Sequence, residues 1–546
     1  MEPAPEAGQA SKDHAPTTPG QPAVPSSTPS SCGLEDLQEP LPATQTSNPS
    51  KMTQTSLVLN MLLSIIGTTV LGISAQMQVG GWILSPLLLC TGCLIVVEMS
   101  WLVSMTMDKL HADGKDIVDY PSYADACFGP IGRFCSGVTS SLAPLGMICN
   151  GMIMCSDNLQ FVWKISSSME AGRQIWAWLL TSTTVIYAFW DMFFGNFAHL
   201  LGKLDSVSWL VNAACIILAW VGIGMAAPEL GNIPEACRTA PDGKGYWSLA
   251  PDFGQNATFF DAMRRAAGIG SYGFYCFAVV VTVPKMKAQM AEPGKVVRGS
   301  SVAFATCTVL FLSIMISGYT VFGNLGSDSI IKAMTTNRPA GWWALNKPWE
   351  TGVGTGCGYV FALAITVNLL LTDGIYVPTT VSHLEGLVPR LFERSVVAKF
   401  FLRLAVCLVR TLVATSISQF LVMTNLTSSL FCVFNNILMP IVAFHTVKPR
   451  PVSAARKAMH ALIFAFGLFV VVCGSWDAIA QMGNSANKED PGIHLRDGIS
   501  AECKAEYCAA TGHPSACARV AAADDLGAVA AAAAIVPWPH LHAIHQ

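Results

Sequence analysis

The stretch from Ser56 to Gln78 constrains this chain most: it is apolar enough to cross a bilayer, yet it is badly built for a continuous helix. Its middle reads IGTTVLGI (Ile66 to Ile73), in which Gly67 and Gly72 bracket the β-branched pair Thr68 and Thr69. Glycine and β-branched residues both weaken a helix. Backbone that leaves the helix inside lipid carries unsatisfied N–H and C=O groups, unless those groups line a polar cavity or meet a ligand. The segment therefore predicts an unwound turn around a solute. The competing reading is an unbroken helix whose small residues permit close packing.

Composition fixes the class. Of 546 residues, 52% are hydrophobic and 12% charged, about half the charged fraction of a soluble domain. Apolar runs of about 20 residues, long enough for a hydrocarbon core about 30 Å thick, recur at 56–78, 82–107, 134–163, 174–195, 205–226, 260–283, 300–323, 353–377, 402–423, 426–447 and 459–482. The expectation is an all-α integral membrane protein with about 11 transmembrane helices embedded in the lipid bilayer. A net charge of −3 without any basic run sets nucleic acid aside. Most of the 18 cysteines, among them Cys93, Cys149 and Cys276, fall inside apolar runs and read as packing residues. No metal site and no cofactor is predicted, and the sequence does not give an oligomeric state.

Residues 1–52, rich in Pro, Ser, Thr and Gln, read as a disordered tail without a cleaved signal peptide. The transmembrane domain is placed at 53–482 and a C-terminal tail at 483–546. Basic residues gather in alternate loops (Lys109, Lys115; Lys203; Lys285, Lys287, Lys295, Arg298; Arg390, Arg394, Lys399; Lys448, Arg450, Arg456, Lys457). The positive-inside pattern puts these loops and the N-terminus in the cytoplasm. An odd span count leaves the C-terminal tail non-cytoplasmic. On an outer loop, Asn256-Ala257-Thr258 is a glycosylation acceptor. The expected location is the plasma membrane or a vacuolar or endolysosomal membrane.

The sixth apolar run contains GIGSYGFY, with glycines at Gly268, Gly270 and Gly273. Runs 1 and 6 occupy equivalent places if five spans repeat in inverted topology. Two interrupted segments at corresponding positions point to a transporter's midplane site.

Along residues 56 to 447 the chain resembles the amino acid/auxin permease family, in the amino acid–polyamine–organocation superfamily. The resemblance is carried by Ile66 to Ile73 with Gly81-Trp82, by YADACFGPIGR (Tyr123 to Arg133) and by SDNL (Ser156 to Leu159). MAEP (Met290 to Pro293), GYTVFG (Gly318 to Gly323), Arg410 and Pro440 continue it. Ser74 and Gln419 stand where the family usually has proline. The resemblance implies a LeuT-like fold, a 5+5 inverted repeat with helices 1 and 6 broken, and an amino-acid substrate.

On that footing the substrate carboxylate is expected near Thr68, Thr69 and Gly72, at helix N-termini exposed by the break beside Gly67. Carbonyls of the same break and of the segment Gly270, Ser271, Tyr272, Gly273, Phe274 and Tyr275 would receive the ammonium, the aromatics walling the side chain. Asn60, with Asn368, Thr372 and Asp373, occupies the segments that hold a coupling cation in LeuT-like folds; Asp373 could equally carry a proton. Intramembrane polar residues default to function, and Asp157 reads as an outer gate or a bridge to a basic partner. The expected function is secondary active transport of neutral amino acids by alternating access, driven by H+ or Na+. The alternatives are a membrane amino-acid sensor and a membrane-embedded enzyme; the latter lacks any nucleophile-and-base or metal constellation, and no P-loop suggests ATP hydrolysis.

Overall fold

The structure is a computed structural model that describes residues 52–486, apart from 68, 164, 167–168, 194–196, 231–246, 252, 254–256, 326–328, 332–352 and 418. The predicted tails, Thr68 and the acceptor Asn256 lie outside the described residues. The described chain is helical throughout, with one isolated parallel bridge, Met52 to Met290.

The helices are α1 (Gln54–Ile65), α2 (Thr69–Gly72), α3 (Gln76–Ala112), α4 (Tyr120–Phe128), α5 (Pro130–Val162), α6 (Met169–Phe193) and α7 (Phe197–Leu230). They continue with α8 (Phe259–Tyr275), α9 (Val283–Gln289), α10 (Val296–Phe322), α11 (Val353–Leu387), α12 (Pro389–Arg394) and α13 (Val396–Ser416). The last are α14 (Phe420–Thr427), α15 (Met439–Val447), α16 (Ala454–Phe469) and α17 (Ser475–Ala486). Two π-helical stretches, Ser428–Cys432 and Phe434–Leu438, join α14 to α15.

Among the described residues, seven helices are long and apolar enough to cross a membrane: Gln76–Ala112, Pro130–Val162, Phe259–Gln289, Pro293–Phe322, Gly358–Leu387, Phe420–Val447 and Ala454–Met482. The other apolar runs of the sequence fall on α1 with α2, on α6, on α7 and on α13, which are helical but not among the seven.

Side-chain placement is that of a protein dissolved in lipid. Ile83, Leu87 and Leu94 of α3 are all more than half exposed. Their spacing puts them on one helix face, an outward apolar stripe that water would not tolerate at this scale. The interior instead holds polar groups, Asn150, Asn212, Asn368, Asp373, Arg403 and Arg410 among them. α11 packs on α5 and α7, α13 on α5 and α6, and α10 on α1 and α3. Among the described residues no cysteine is in a disulfide; Cys93, Cys149, Cys155, Cys215, Cys276, Cys307, Cys407 and Cys432 are buried.

Close approach explains the interior glycines. Gly81, between the first two apolar runs, has φ 64° and ψ −166°, a region open essentially only to glycine. A Cβ there would stand 2.7 Å from the carbonyl oxygens of Ser248 and Ala250. Trp82 N–H donates to Ser248 O at 3.1 Å, so the chain at Ser248 is fastened to α3 at its kink.

Candidate functional site

The first apolar run is interrupted where its composition predicts. α1 is capped by Thr53, whose hydroxyl accepts from Ser56 N–H at 3.2 Å, and it ends at Ile65. Ile66 turns to φ −81°, ψ 100°, and helix resumes at Thr69 for one turn before a second irregular stretch leads into α3. A Cβ on Gly67 would meet nothing within 4 Å, because Gly67 opens onto a cavity.

That cavity has a volume of about 60 Å³, several times the roughly 10–15 Å³ one water needs. Its walls come from four places in the chain. The break supplies Ser64, Ile66, Gly67 and Thr69; α5 supplies Met147, Ile148 and Gly151; the end of α8 and the turn after it supply Tyr275, Ala278 and Val279; α11 supplies Leu369, Thr372, Asp373 and Tyr376.

The sixth apolar run is also interrupted, but downstream of its glycines. Gly268, Gly270, Ser271, Tyr272, Gly273 and Phe274 are all helical within α8. The chain departs from the α-helix over Cys276–Val279, passes through a 3₁₀ turn at Val280–Thr282, and resumes as α9. Glycine costs about 1 kcal/mol inside a helix, and here the neighbours use the room. A Cβ on Gly273 would stand 3.6 Å from Leu88 O, on Gly270 3.5 Å from Phe466, and on Gly268 2.7 Å from Asp477 Oδ2. What holds the interruption open is Asn436, whose Oδ1 accepts from Val280 N–H at 3.0 Å. Of the segment Gly270 to Tyr275, Tyr275 is the residue that lines the cavity.

Tyr272 ties the two interruptions together. Its hydroxyl, 1% exposed as a residue, donates to Thr69 O at 2.8 Å. Gly72 makes room for that phenol: a Cβ on it would come within 2.8 Å of Tyr272 Oη and 2.7 Å of Leu421 Cδ2. Gly72 thus serves packing and, like Gly270, Ser271, Tyr272, Gly273 and Phe274, is not part of the cavity wall.

The four residues expected to serve a coupling ion do not form one set. Thr372 and Asp373 line the cavity. Asn60 lies with its Nδ2 3.6 Å from Met52 Sδ, and Asn368 donates through Nδ2 to Asn212 Oδ1 at 2.9 Å. Asp157 is outside the lining, with Oδ1 3.8 Å from Arg173 Nε. Arg173 in turn donates to Ala414 O at 2.6 Å and Ile417 O at 3.2 Å, bracketing the end of α13.

The group that sequence reasoning left without a role is Arg410 of α13. Only 1% exposed, it donates through Nε to Ile148 O at 2.8 Å, through Nη1 to Thr184 Oγ1 at 2.5 Å, and through Nη2 to Asp373 Oδ2. The carboxylate in the cavity wall is therefore half of an ion pair. Asn150 was recognisable as a buried polar residue but not as a neighbour of this site. Its Nδ2 donates to Thr424 Oγ1 at 2.7 Å and lies 3.4 Å from Tyr275 Oη, bracing the tyrosine that walls the cavity. The signal for both was a polar residue in an apolar run; the partners could not be read from spacing.

Residues 50–480 match the family described as transmembrane amino acid transporter protein. Two proteins of Arabidopsis thaliana are similar along most of the chain. Amino acid transporter AVT1D is 24% identical over 435 residues, 78% of this chain and 70% of that one. Amino acid transporter AVT1C is 23% identical over 432 residues, 78% of this chain and 69% of that one. Among solved structures, the inward facing conformation of Mhp1 is similar at a TM-score of 0.49 and 12% identity, over 81% of this chain and 94% of that one.

Proposed function

The chain belongs to the transmembrane amino acid transporter protein family, and from that premise we propose that it is a secondary active carrier of neutral amino acids working by alternating access. It is a membrane carrier and not an enzyme. The observation that carries the reading is the break at Gly67, which turns backbone that should be wound in helix onto a cavity walled by α5, α8 and α11.

In this reading the amino acid lies across the break. Its carboxylate is received at the break, beside Gly67 and Thr69 of the cavity wall, where backbone N–H groups freed from the helix can meet an anion. Its ammonium meets carbonyls at the end of α1 together with Thr372 and the wall around Asp373. Tyr275, Tyr376, Met147 and Leu369 enclose the side chain. The driving ion is H+ or Na+. About eleven spans in a 5+5 inverted repeat, a cytoplasmic tail at 1–52 and a non-cytoplasmic tail at 483–546 complete the proposal. The protein is assigned to the plasma membrane or to a vacuolar or endolysosomal membrane.

The test is uptake of a labelled amino-acid panel into proteoliposomes, with proton and sodium gradients imposed separately. Uphill accumulation of neutral amino acids under one gradient is the expected result. Failure of every amino acid under both gradients, with the protein correctly inserted, would reject the carrier reading.

A further inference from the structure

We infer that Arg410, a residue outside the cavity wall, fixes which side-chain charge the carrier accepts, by holding the net charge of that wall at zero. The inference rests on the carrier reading above and adds to it the residue that selects the substrate class.

Among the described lining residues, Asp373 alone carries a formal charge; the other polar members, Ser64, Thr69, Thr372, Tyr275 and Tyr376, are neutral. The two oxygens of Asp373 face different ways. Oδ2 takes Nη2 of Arg410, while Oδ1 lies 3.6 Å from the point where a Cβ on the lining residue Gly151 would stand. The carboxylate is thus turned to the cavity on one side and to its counter-ion on the other.

Arg410 is built in rather than free to swing. It is fastened to Ile148 O on α5 at 2.8 Å and to Thr184 Oγ1 on α6 at 2.5 Å as well as to Asp373 on α11. A guanidinium does not lose its proton in a protein, so the ion pair sets a permanent positive charge directly behind the wall's one carboxylate. A neutral amino acid brings equal and opposite main-chain charges into this enclosure. A lysine or glutamate side chain would bring one more, unbalanced, into surroundings where Coulomb interactions are several-fold stronger than in water and desolvation is not recovered. Arg410 is therefore a positioning residue for selectivity: it touches the substrate's surroundings and not the substrate.

The experiment is competition for labelled uptake in proteoliposomes by matched pairs, glutamine against glutamate and methionine against lysine. The unmodified protein should prefer the neutral member of each pair, by on the order of tenfold or more. Asp373→Asn leaves the guanidinium unbalanced. It should move glutamate against glutamine by on the order of tenfold toward the acid and abolish any residual lysine uptake. The double variant Asp373→Asn/Arg410→Gln makes the wall neutral again and should restore the neutral preference. A merely structural pair would lower all uptake together without moving these ratios, and the double variant would recover nothing.

Equal acceptance of charged and neutral partners by the unmodified protein overturns the inference, as does an unmoved ratio in Asp373→Asn. Should Asp373→Asn fail to insert, the unmodified protein and the double variant decide, since loss of the neutral preference in either one is fatal. If the unmodified protein moves no amino acid at all, it is the carrier reading that has failed and not the charge assignment.

Discussion

Gly67 separates folding from function more cleanly than any other residue in the site. Its φ is not positive, so alanine can take its backbone conformation without strain. A Cβ added there meets nothing within 4 Å, so no packing is disturbed. Replacing glycine by alanine where the conformation is compatible stabilises by about 0.4–1 kcal/mol, by restricting the unfolded chain. Gly67→Ala should therefore leave the melting temperature in detergent unchanged or slightly higher. The methyl group nonetheless projects into a cavity of about 60 Å³. Crowding a filled site by a methyl costs about 1–3 kcal/mol, so amino-acid affinity should fall roughly 5- to 150-fold at one decade per 1.4 kcal/mol. Gly67→Leu extends the same series to near-complete occlusion. The assay pairs thermal unfolding monitored by tryptophan fluorescence with concentration-dependent uptake in proteoliposomes. Normal uptake by a correctly inserted Gly67→Leu protein would refute the placement of the substrate at the first break. A melting temperature that collapses with uptake in Gly67→Ala would refute the claim that this glycine faces open space.

Three further outcomes follow from the same geometry. Gly81→Ala should cost about 1–3 kcal/mol of stability through its backbone conformation alone, with more from the Ser248 and Ala250 carbonyls at 2.7 Å, and thermal unfolding will read it. Tyr272→Phe removes the hydroxyl that spans the two interruptions at 2.8 Å and leaves a buried carbonyl short of a donor. A loss of about 1–3 kcal/mol is expected, together with a changed transport rate, and a variant with unaltered stability and rate would remove Tyr272 from the coupling of the breaks. Glu98→Gln weakens a cluster in which Glu98 accepts from Arg456 at 2.8 Å through both oxygens and lies 3.0 Å from His460 Nε2. It should loosen α16 from α3 by about 1.5–3 kcal/mol, seen as faster hydrogen exchange in α16, while selectivity among amino acids stays as it was.

Some of this molecule is decided by short-range chemistry, which a sequence displays. Apolar runs and sparse charge compel a helical membrane protein, because lipid offers backbone groups no partner outside the helix. The first interruption is legible for the same reason: two glycines and two adjacent threonines weaken the helix locally, and the chain opens at Ile66 and Gly67. The second interruption is not local in origin. The glycines of α8 look like a break and are instead contact points, a distinction that depends on Leu88, Phe466 and Asp477 arriving against them. The true departure at Cys276–Val279 holds no glycine and is served by Asn436, a partner 156 residues away. The charge state of the cavity is likewise a tertiary fact. Asp373 by itself reads as an ion site; Arg410, 37 residues further on, makes it one half of a neutral pair. Sequence spacing cannot supply that pairing, because it is set by how α11 and α13 come together against α5 and α6.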